Sequence, residues 1–193
     1  SVTAAGGDVT MGVIGTTPST ALSSIALAST SAGTIGTGAI SASANLSTVT
    51  ISADGSNSTV TPGGAITTTN GGISQVSISA SDRGTVTMAS GDLVVGSGLF
   101  GSFAANASDR GTISLNGFTS SSTATSTAGT YSLTTSDRGT LALGNLDLDS
   151  DGAVTALSVA VGEDSTMTFG TAVVTSLVSF GTTSISVGAD ATT

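Results

Sequence analysis

One pentapeptide occurs three times in this chain: Ser81-Asp-Arg-Gly-Thr85, Ser108-Asp-Arg-Gly-Thr112 and Ser136-Asp-Arg-Gly-Thr140. The copies stand 27 and 28 residues apart and contain every arginine of the protein. The Thr-apolar-Thr stretch that follows each copy recurs in weaker form on both sides. Its central apolar residue runs Met11, Ile35, Val60, Val86, Ile113, Leu141, Met167. A second apolar anchor precedes each turn, at Val2, Leu27, Ile51, Ile78, Ala105, Leu133, Val159 and Ile185. A third lies about five to seven residues past the Thr-apolar-Thr centre, at Ile40, Ala65, Leu93, Phe118, Leu146 and Ala172. All three series keep one beat of 24–28 residues, so the whole chain is a tandem repeat.

Between the anchors, apolar residues alternate with hydroxyl residues, as in Val76-Ser-Ile78-Ser-Ala80 and Thr85-Val-Thr-Met88. A period of two with β-branched residues reads as strand, and no 3.6-residue stripe with helix caps competes with it. Three short strands per repeat, separated by Gly, Ser and Asn corners, are what one coil of a β-solenoid requires. A single coil cannot bury its own apolar face, and stacking the next coil on it at a strand spacing of about 4.8 Å can. The expectation is one all-β domain over residues 1–193, a single-chain parallel β-helix of about seven coils and roughly 34 Å length. The competing geometry is a sandwich or a meander of hairpins, because Ser-Asp-Arg-Gly can also close a hairpin. The shared register of all the series favours the solenoid. So does an inventory of only five Phe and one Tyr, which is thin for a sandwich core.

Composition narrows function more than fold. Ser, Thr and Gly make up about half the chain, yet 38% of residues are hydrophobic, which separates it from a flexible linker. There is no Cys, His, Trp or Lys. That inventory offers no zinc site of the usual kind, no Cys or His nucleophile–base pair and no disulfide framework. A net charge of −9 with three arginines argues against a nucleic-acid partner and against an anionic membrane surface. No apolar run reaches the length of a membrane span. The acids are few and mostly at corners, so no enzyme is expected.

Three motifs carry chemistry. Stacked corners would set Asp82, Asp109 and Asp137 in one column and Arg83, Arg110 and Arg138 in the next. There they would form a charge network or, alternatively, contact an anion or a glycan. Asp147-Leu-Asp-Ser-Asp-Gly152 has the D-x-D-x-D-G pattern that opens an EF-hand-like loop, which makes Asp147, Asp149 and Asp151 candidate calcium ligands. The twelfth position is Ser158 where a bidentate Glu is expected, with Glu163 and Asp164 on the next corner. The plainer alternative has Leu146 and Leu148 inward and the aspartates facing water. The Thr-x-Thr column is similar to the outward ladders of ice-binding β-helix proteins, though it degrades at Gly12, Gly36, Ser114 and Ala142. Asn45, Asn57 and Asn106 head N-glycosylation patterns of a kind that arise by chance in so Ser/Thr-rich a chain.

Across its whole length the chain resembles the repetitive β-solenoid regions of bacterial surface proteins, the haemagglutinin-like adhesins and autotransporter passengers. The likeness lies in short Val/Ile strands, Gly/Asn/Ser corners and the near-absence of Cys and Lys, and it implies a secreted rod. The apolar ladders run to both termini with no polar or helical cap, and exposed strand edges template further pairing. The expected function is therefore an extracellular structural protein that binds other copies of itself, stacking head-to-tail into a filament or surface layer. The alternative is a monomeric adhesin or passenger rod that displays a face to a surface glycan or host ligand. The missing initiator Met suggests a processed chain.

Overall fold

Alternation in the sequence becomes alternation in space. Along Ile73–Ser81, Val76, Ile78 and Ala80 are buried while Ser77, Ser79 and Ser81 stay half-buried, the two-residue period of a pleated strand. A computed structural model describes residues 1–15, 22–88, 90–95, 98–122, 129–150, 154–176 and 180–189. At 120–122, 148–150, 172, 174–176 and 180 it describes the backbone alone. Among the described residues there are nineteen strands and no helix, hence none long and apolar enough to cross a membrane.

Every strand pairing is parallel, and each strand pairs with its own counterpart one coil away. Val2–Ala5, Ser24–Thr30, Leu46–Asp54, Ile73–Ser81, Phe100–Ala107, Thr130–Thr135, Val154–Val161 and Phe180–Val187 form an eight-stranded sheet in chain order. The second sheet follows the Asp-Arg corner. In the early coils it is built from two short strands per coil, such as Thr59–Pro62 and Ile66–Thr68. In the later coils each pair merges into one eleven-residue strand: Thr112–Ser122, Thr140–Ser150 and Thr166–Ser176. The result is a β-solenoid of about six turns, close to the seven that the repeats predict. The strands on either side of each Ser-Asp-Arg-Gly turn do not pair with each other, so the turn is a coil corner and not a hairpin.

The register follows the anchor series that precedes the turns without exception, from Val2 opposite Leu27 to Val159 opposite Ile185. The other two series each need one correction. Val9, not Met11, sits opposite Ile35, because the first corner is the short Gly6-Gly7 and the strand Asp8–Thr10 begins directly after it. Ile66, not Ala65, sits opposite Ile40 and Leu93, and Ile66 is fully buried.

Inward residues form one continuous core of stacked Ile, Val, Leu and Ala, each large member contributing about 1.5–3 kcal/mol by burial. The middle coils are the longest, and aromatic rings fill their wider interior. Phe103 lies 4.5 Å from Phe118, and Phe100 lies 5.4 Å from both Phe118 and Tyr131. Offset and tilted contacts of this kind add to the burial itself.

Candidate functional site: the corner column and the open end

The Asp-Arg corner is a tight turn of the mirror type. Gly84 N–H donates to Ser81 O at 2.7 Å, Gly111 to Ser108 at 2.7 Å and Gly139 to Ser136 at 2.8 Å. Both central residues of each turn are left-handed, with φ of 45° and 65° at Asp82 and Arg83, 46° and 64° at Asp109 and Arg110, and 50° and 66° at Asp137 and Arg138. The glycine that follows, although the residue best suited to a left-handed position, does not occupy one. Its task is close approach: a Cβ on Gly111 would lie 2.1 Å from the carbonyl oxygen of Ala80 on the preceding coil. Asp tolerates the left-handed region because its short side chain bonds locally, whereas Arg there carries a cost of order 1 kcal/mol.

Stacking continues through the corners. Arg83 N–H donates to Asp109 O at 3.1 Å and Arg110 N–H to Asp137 O at 3.0 Å, so the turn backbones are hydrogen-bonded from coil to coil. Asp82, Asp109 and Asp137 thus share one column and Arg83, Arg110 and Arg138 the next. The column of arginines ends at Asp164, one coil beyond Arg138. Their side chains make the ion pair found among the described residues, at 3.5 Å with both more than half exposed. Arg83 and Arg110 have another arginine at that neighbouring position, which explains why neither makes the same contact. Asp109, Arg110, Asp137, Arg138, Glu163 and Asp164 line an open groove of about 380 Å³ along this edge. Mixed charges in an exposed groove can meet a polar ligand, but they hold no buried polar group aimed at one.

Asp147 lies on Thr140–Ser150, half-buried, between Thr119 and Val173 of the neighbouring coils. The Asp149 side chain and all of Asp151 fall outside the described residues. Among the described residues no three acids gather closely enough to hold a metal ion. Asn45, Asn57 and Asn106 are all exposed. Thr34, Thr59, Thr85, Thr112, Thr140 and Thr166 form an unbroken outward column, while the column two residues on contains Gly36, Ser114 and Ala142 beside Thr61, Thr87 and Thr168, the break that the sequence shows.

At the last described coil, the inward ladder is uncovered. Phe169, Ile185 and Val187 stand opposite Leu143, Val159 and Val161. Those partners are 2%, 9% and 3% exposed, but the three residues themselves are 40%, 70% and 51% exposed. At the opposite end Val2, Val9 and Ile14 are packed against the core on one side only and remain partly buried. Comparisons with protein-family models, curated proteins and solved structures give no match.

Proposed function

We propose that this chain is a subunit of an extracellular filament or surface layer, assembled coil upon coil by head-to-tail contact between copies. The observation that carries the reading is the uncovered ladder of Phe169, Ile185 and Val187 beside two open strand edges. Apolar area in water costs about 25 cal/mol per Å², and unpaired strand edges attract further strands. A first coil offers what this end lacks, since Val2 and Ala4 begin the ladders that end at Ile185 and Val187, Val9 and Ile14 begin two further inward ladders, and their strands run in the same parallel sense. Such a contact joins two different surfaces and therefore does not close, which gives a filament. Calcium held by Asp147, Asp149 and Asp151 would act in that filament as a structural ion. The groove from Asp109 to Asp164 supports the second reading, a single rod that displays a binding edge to a glycan or anionic ligand.

Negative-stain electron microscopy of the purified chain, with calcium and then with chelator, tests the proposal. Long fibres of uniform width are expected, and Ile185→Asp should shorten them at least tenfold. Dissociation on chelation would give the three aspartates their role. Short monodisperse particles under both conditions would overturn the filament and favour the displaying rod.

A further inference from the structure

The charges of this protein are not spread evenly around the coil. Three outward columns run along the eight-stranded sheet: one on all eight strands from Thr3 through Ser52, Ser79, Asn106 and Thr134 to Ser186, and two on seven strands, from Ala26 through Ala104 and Ser132 to Ser184 and from Ser24 through Gln75 and Ser102 to Thr182. Every residue in these columns is Ser, Thr, Ala, Asn or Gln, and none of the chain's twelve acids and three arginines stands in them. Asp54, the nearest acid, lies at the corner end of its strand. The second sheet differs, because Asp8 and Asp147 stand in its outward columns and Val173 is 47% exposed there.

We propose that two copies pack back to back through the outward face of the eight-stranded sheet. With a net charge of −9, like copies repel, and this face lets them touch while every charge stays at the solvated rim. Side chains this short leave the face nearly level, and rows repeating at one strand spacing interdigitate best with rows of the same period, which another copy supplies. The hydroxyls find partners within such a layer, as Ser184 does with Ser158 at 3.3 Å along the axis. Eight strands and three columns cover roughly 700 Å² per copy, near the ~800 Å² per partner of a stable protein pair. Charged partners have nothing to hold on this surface. The same patch serves both copies, so the contact is twofold and closes at two.

This lateral contact is independent of the axial one, and mass per unit length separates them. Axial stacking lengthens a rod without thickening it, whereas back-to-back pairing doubles its mass per length. Small-angle scattering and dark-field microscopy should give the wild type twice the mass per length of a single solenoid. If no fibres form, the same contact reads as a dimer in sedimentation equilibrium. Ser79→Lys with Ser132→Lys should halve the value, and Thr87→Lys with Ser114→Lys, on the second sheet, should leave it unchanged. Circular dichroism verifies folding, and Ala104→Glu replaces the lysine pair, with the same expected halving, if that pair does not fold. A single-rod value for the wild type, pairing that survives the charges, or equal loss in the second-sheet variant would each overturn the proposal.

Discussion

The same coil corner is closed in two ways in this molecule. At 81–84, 108–111 and 136–139 two left-handed residues are followed by a glycine that presses against the preceding coil. At Ser58 and Ser165 a buried serine takes the glycine's place. The first of these corners is one residue longer, with left-handed Gly55 and Asn57, and the second has a single left-handed residue, Asp164. Each serine then bonds the corner from within. Ser58 Oγ donates to Asp54 O at 2.7 Å and accepts from Ala32 N–H at 3.2 Å, and Ser165 Oγ donates to Glu163 O at 3.1 Å. The lesson is that the slot does not demand glycine. The conformation of the two residues before it does, because at this corner the doubly left-handed turn brings the backbone within a Cβ radius of the preceding coil.

That contrast can be broken from either side. Gly111→Ala should have the largest effect, lowering stability by about 3 kcal/mol in chemical denaturation, since the new Cβ meets a backbone oxygen with no side chain to move aside. Ser58→Ala should cost about 1–2 kcal/mol, because it leaves the Ala32 N–H without its partner in a part-buried corner. A loss equal to that of Gly111→Ala would show that the serine corner is as tightly packed as the glycine one. Arg138→Ala should change stability by at most about 0.5 kcal/mol, with any effect removed by salt, because its pair with Asp164 is solvent-exposed. A larger change would mean that the arginine column braces the corner through more than that pair.

Much of the fold is legible because a solenoid repeats a local rule. Leu27, Ile51, Ile78 and their successors can be aligned by counting, and each lands opposite its counterpart. Counting failed where a corner changed length. Thr10-Met11-Gly12 imitates Thr34-Ile35-Gly36 in sequence, but the two-residue corner Gly6-Gly7 shifts the register to Val9. At Ala65 the run of small residues around Gly63 and Gly64 carried no signal to place the anchor, and the larger Ile66 fills the inward slot. The candidate sites were less legible. The Asp-Arg motif marks the corner, yet which arginine finds a carboxylate depends on the residue one coil away, a relation that sequence distance hides.

The sequence by itself determined that the chain is all-β, that its repeat is 24–28 residues, and, Met11 and Ala65 apart, which anchor residues make the inward ladders. These follow from alternation and period, which are properties of neighbours along the chain. Only the tertiary structure decided that Asp and Arg, and not Gly, take the left-handed positions. It also decided that the two short strands merge in the later coils, and that Phe169, Ile185 and Val187 stand uncovered while identical slots are sealed. Burial in a solenoid is supplied by the coil above and the coil below. A residue's own sequence can direct it inward, but the adjacent coil decides whether water reaches it.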